Sequence, residues 1–168
     1  MSRGRVPTAR PLDPALPVSD EIKRVLREEL QQVSDACASN GSWEVRMRSE
    51  AIRRARKALK RFRAVLDLAK GSIDAESQEA MRMAARDLGR RLSPLRDRDV
   101  IMELLARLQK DTSGRKNREA IRLASMVLSA SQAIPTSRDH REDEAIVMAV
   151  GAKISELAAW LQATDFGK

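Results

Sequence analysis

The sequence predicts an all-α fold, an antiparallel bundle of about six helices. Three observations carry that expectation. Apolar residues recur at steps of three and four along most of the chain, which is the helical period. The breaks between these stretches, marked by Gly, Pro, Ser and Asn, are short, as antiparallel neighbours require. Two Phe, two Trp and no Tyr leave Leu, Ile, Val, Met and Ala to fill the core. That composition favours helix-on-helix packing, because sheets draw on β-branched and aromatic residues. With 168 residues, 42% of them hydrophobic, the chain is long enough for one ordinary domain with a buried core.

Residues 1–18 read as a flexible tail, and 19–168 as a single helical domain. In the tail, Pro7, Pro11, Pro14 and Pro17 keep the chain extended, while Arg3, Arg5 and Arg10 can supplement an anion site. Ser19 or Asp20 can cap a first helix that runs through Val33 or beyond, burying Ile22, Leu26, Leu30 and Val33. Asn40, Gly41 and Ser42 make a turn. The second helix spans about 44–70 and stops at Gly71. A third covers 74–92, with Met81, Ala84, Ala85, Leu88 and Leu92 on one side. Ser93 and Pro94 interrupt the pattern, and Pro94 can sit in the first turn of the next helix, about 95–110. After a break at 112–114, a fifth helix is expected over 115–134. A turn at 135–137 leads to a sixth over 138–163.

The second helix carries the strongest functional signal. Between Arg46 and Arg63 it places nine lysines and arginines against one acid, Glu50. At 100° per residue, Ile52, Ala55, Leu59, Phe62, Leu66 and Ala69 form one apolar band. Arg53, Arg56, Lys60 and Arg63 follow the same stepping one residue later, with Arg54, Lys57 and Arg61 beyond them. From Arg53 to Arg63 the row extends about 15 Å, which suits several phosphates better than one. The plain alternative is a solvated face whose cations pair with acids of neighbouring helices. A net charge of +8 and a pI of about 10.3 agree with an anionic partner without naming it.

Other chemistry is poorly supported by the residues. Cys37 is the sole cysteine, so there is no internal disulfide framework, and its expected role is a small core residue. His140 stands far from the basic helix, among Arg138, Asp139, Arg141 and Glu142, where exposure at a helix start is expected. No glycine-rich phosphate loop, cysteine–histidine cluster or serine–histidine–acid set is present. No enzyme, metal or cofactor is therefore predicted. No apolar run approaches the roughly 20 residues of a membrane span, and the first 20 residues lack a signal-peptide core. A cytoplasmic location is expected.

Residues 52–68, IRRARKALKRFRAVLDL, resemble the signature helix of the CHAD family, histidine-named α-helical domains associated with inorganic polyphosphate. Ile52 stands at the aliphatic position of that pattern, and Arg56, Lys60, Arg61 and Arg63 at its basic ones. A second segment, LGRRLSPLRDRDVIMELL at 88–105, is similar to the family's leucine–glycine stretch and its arginine–aspartate–x–aspartate–valine element, here Arg96, Asp97, Arg98, Asp99 and Val100. Arg53 occupies the place of the naming histidine. The length resembles about half of the family's two-halved domain, so the chain reads as a shortened member, with self-association as one replacement for the missing half.

The resemblance implies a noncatalytic, multivalent site for polyphosphate, with association at polyphosphate granules. Arg53, Arg56, Lys60 and Arg63 would form its central row, Lys57 and Arg61 its outer edge, and Arg90, Arg91, Arg96 and Arg98 its facing wall. Asp97 and Asp99 are expected to start a helix or orient Arg96 rather than bind metal. Two other readings compete. Nucleic-acid backbone binding fits the charge, but there is no helix-turn-helix signature and few aromatics to stack on bases. A scaffold role through self-association could use Val147, Ile154, Leu157, Trp160 and Leu161, although the simpler expectation is that these residues close the bundle.

Overall fold

A computed structural model describes residues 13, 15–38, 45–130 and 139–166. They form six α-helices: α1 (Val18–Ala38), α2 (Val45–Leu68), α3 (Ala75–Arg91), α4 (Ser93–Asp111), α5 (Arg115–Ala130) and α6 (Asp139–Ala163). No β-strand occurs among the described residues. The expected turns at 40–42 and 135–137 lie outside them, as does most of the expected tail. From its C-terminal end, the amide of Asp13 donates to the carboxylate of Glu21 at 2.9 Å.

Helices α1, α2, α3 and α6 surround one core, with the start of α4 against α2 and with α5 packed on α4. All six residues of the expected apolar band on α2 are buried, including Phe62 and Leu66 at its centre. They meet Leu26, Leu30 and Val33 of α1, Met81, Ala85 and Leu88 of α3, and Val150, Ile154 and Leu161 of α6 in one cluster. Each large aliphatic or aromatic side chain buried this way contributes about 1.5–3 kcal/mol. On α6, Val147, Ile154, Leu157 and Leu161 are buried and close the bundle, while Trp160 stands at its rim. Their surface is therefore not free for a partner.

The helix ends have local causes. Gly71, with φ 91°, takes a left-handed conformation that other residues resist, and so stops the chain after α2. The Gln78 side chain then donates to the Leu66 carbonyl, one of the acceptors freed at that end. Asp74 caps α3 by accepting from the Ser77 amide at 2.8 Å. Only Leu92 separates α3 from α4, and its αR backbone keeps both hydrogen-bond ladders running through it. Helix α4 thus begins at Ser93, two residues before the expected start, because Pro94 fits a first turn whose amides need no partner.

Polar contacts tie distant parts of the chain. Arg48 of α2 and Asp143 of α6 form a buried ion pair at 2.9 Å. Lys23 donates to the carbonyls of Gln162 and Thr164 at 3.1 and 3.0 Å, capping α6, and lies 5.4 Å from the Phe166 ring centroid. Gly151 of α6 faces α1, where a Cβ on it would stand at an ordinary van der Waals distance, 3.5 Å, from that of Cys37. Among the described residues, no helix is long and apolar enough to cross a membrane.

Candidate functional site

The apolar band fixes how α2 is turned, and that rotation sorts its cations into three tracks. Arg56 and Arg63 lie half-buried along one edge of the band, Arg56 on the side of α4. Here Arg96 donates to the Ser49 hydroxyl at 2.9 Å, and Arg56 stands 3.9 Å from the Asp97 carboxylate. The Nε of Arg63 is buried without a hydrogen-bond partner among the described residues.

The middle track faces solvent. Arg53 is held by Glu50 through two hydrogen bonds of 2.9 and 3.0 Å, an i,i+3 pair within the same helix. Hydrogen bonding to Arg53 holds the Glu50 carboxyl below its ordinary range, with smaller contributions from the charges of Arg53, Arg54 and Arg96. Arg96 thus lies within electrostatic reach of the row although it belongs to another helix. Lys57 and Lys60 are exposed, and no carboxylate among the described residues comes within ion-pair distance of either.

The third track borders α1. Arg61 is clamped by both carboxylate oxygens of Glu29, at 2.7 and 2.8 Å, and by the Gln32 side chain at 2.7 Å. Its guanidinium is occupied by the fold before any ligand arrives. Arg54, beside it, is exposed and has no such partner among the described residues.

Of the expected facing wall, Arg96 is brought to the row. Arg90 and Arg91 occupy the last turn of α3, where Arg90 stands 3.8 Å from Asp87. No hydrogen bond or ion pair among the described residues joins either to α2. The side chain of Arg98 lies outside the described residues, as do those of Asp99 and His140. Ser49 and Glu29 entered the site only through tertiary packing. The signal for Glu29 was available in part, since it is an acid beside the buried Leu26 and Leu30 and needs a cation there.

Among the described residues, no group of three or more His, Cys, Asp or Glu side chains could hold a metal ion. Cys37 is buried, and burial pushes its thiol up to about 11, so it carries no thiolate near neutrality. Neither a curated protein nor a solved structure matches the chain. The CHAD domain family does match, over residues 24–166 and hence across all six helices, and the chain belongs to that family.

Proposed function

We propose that this chain binds inorganic polyphosphate, or a closely related polyanion, on the polar face of α2 and does not catalyse a reaction on it. The observation that carries the reading is the set of exposed cations Arg54, Lys57 and Lys60, which have no carboxylate partner among the described residues. Exposed cations without a described carboxylate in ion-pair distance also stand singly on other helices, as Arg27 on α1 and Arg122 on α5 do, so what sets α2 apart is that three of them fall within two turns of one helix. Arg53, Arg56, Arg63 and Arg96 flank the unpaired set. Phosphate oxygens could displace the exposed Glu50 and the distant Asp97 from their arginines at small cost. The association of the family with polyphosphate supports the same ligand.

Arg53 stands where the family's histidine is expected, so the row is permanently charged there and has no switch near neutral pH. The chain is read as a short member of the family, cytoplasmic and associated with polyphosphate granules, with a second copy of itself as a further partner. Nucleic-acid backbone is the competing ligand. Against it, Phe62 and Phe166 are buried, and among the described residues Trp160 on α6 is the one exposed aromatic side chain, too few for a platform on which successive bases stack.

Competition decides between the two. In filter binding at near-physiological salt, long-chain polyphosphate is expected to displace a mixed-sequence oligonucleotide offered at equal phosphate concentration. Equal or stronger oligonucleotide binding would overturn the reading. Replacing Arg54, Lys57 and Lys60 together by Gln is expected to weaken polyphosphate binding at least about tenfold. It should also lower the salt-dependence slope by roughly 2–3, while circular dichroism stays unchanged.

A further inference from the structure

Helices α4 and α5 form a hairpin that leaves an apolar face uncovered. Each helix of the core packs on at least two others, whereas α5 makes its substantial contacts with α4 alone. Ile101 and Leu105 on α4, and Ile121 and Leu128 on α5, are half-buried in the seam between the two. Helical rotation from that seam puts Val100, Leu104 and Leu108 on one side of α4, and Val127 with its neighbour Leu123 on the same side of the hairpin. These five side chains remain 40% to 66% exposed. Together they open on the order of 400–500 Å² of apolar surface, the upper range for a monomer. A 16-residue helix with one neighbour is marginal in water, so α5 has a physical need for another surface.

We infer that this face is where two copies of the chain meet, hairpin on hairpin, so that four helices enclose the rows that one copy leaves open. The inference rests on the reading of the chain as a homo-oligomer and is independent of its ligand. Two copies with their rim side chains reach about 1,000 Å² of buried surface, the size at which specific interfaces begin. The rim is complementary to itself. Glu103 and Arg107 are paired at 2.7 Å along the open edge of α4. When two α4 helices lie antiparallel across a two-fold axis, each Glu103 comes to the Arg107 of the other copy.

Sedimentation velocity of the full chain across a concentration series tests this. The expected result is a dimer at tens of micromolar. Leu104→Glu and Val127→Glu should each raise the dissociation constant at least tenfold while helicity is kept, since both side chains are exposed in a single copy. Arg107→Glu should weaken the dimer, and the double variant Glu103→Arg, Arg107→Glu should restore it, because the swapped pair is again self-complementary. A dimer indifferent to all of these variants overturns the surface but leaves self-association standing. A wild-type chain that stays monomeric at 100 micromolar overturns both, including the case in which it instead sediments with vesicles of phosphatidylcholine and phosphatidylglycerol.

Discussion

Arg61 and Glu29 show how one contact can decide what a residue is available for. Glu29 is 2% exposed and Arg61 is 38% exposed on its side chain, so the pair is asymmetric. Removing the cation strands a buried carboxylate, whereas removing the acid frees an arginine that can turn to water. Arg61→Ala is therefore expected to cost about 3 kcal/mol in urea unfolding, and Glu29→Gln only about 1 kcal/mol. The acid variant should also bind polyphosphate more tightly than wild type, since it releases a guanidinium beside the row. At the α1–α6 contact, alanine at position 151 meets only ordinary van der Waals distance and gains helix propensity. Gly151→Ala is thus expected to stabilise the chain by up to about 1 kcal/mol, read as a higher Tm. The apolar band of α2 was readable in full because burial of Ala55, Leu59 and Phe62 follows from spacing within one helix. The Glu29 clamp was not, because its partners are 32 residues apart and depend on how α1 crosses α2.

At the scale of the element, α3 and α4 differ in how they begin. Asp74 caps α3, and the Ser77 amide holds its carboxyl below the ordinary value of 3.8. A depressed carboxylate contributes stability that is fully present above its unfolded value and is lost as pH falls through the lower folded one. The stability gap between wild type and Asp74→Ala is thus expected to be constant at neutral pH and to narrow only as pH falls below the ordinary carboxylate value of 3.8. Asp74→Ser, which caps without a charge, should show no such narrowing. Helix α4 needs no side-chain cap because Leu92 carries the ladder across from α3, and that continuity was not legible at Ser93 and Pro94, which the spacing marks as a break. Hydrogen exchange should find α5 the least protected of the described helices at low protein concentration. Its protection is expected to rise as concentration brings two hairpins together.

Across the whole molecule, the buried Arg48–Asp143 pair joins residues 95 apart and links α2 to α6, which packs on α1 and α3. Asp143→Ala leaves the buried guanidinium without its carboxylate and is expected to cost about 3–5 kcal/mol. The double variant Arg48→Met, Asp143→Leu removes both charges and should recover most of that loss, measured as urea midpoints. The bundle also divides the molecule's surfaces. Its core helices complete one another and turn a basic face outward from α2, while the α4–α5 hairpin projects an apolar one. The two surfaces adjoin on α4, whose first turn brings Arg96 to the row on α2 while Leu104 and Leu108 stand exposed further along.

The sequence by itself determined the helices, the buried side of each core helix, and the family to which the basic helix and the Arg96–Val100 segment point. These features follow from rotation per residue and from the chemistry of Gly, Pro and Asp, which act within a few residues of themselves. Tertiary structure alone decided which cations remain available. Arg61 goes to Glu29 and Arg96 reaches Ser49, while Lys57 and Lys60 are left to solvent, because pairing depends on which helix lies alongside. It also decided that α6 is spent on the core and that α5 is not. A helical period shows that a face is apolar, but only the packing of the other helices shows whether anything in the chain covers it.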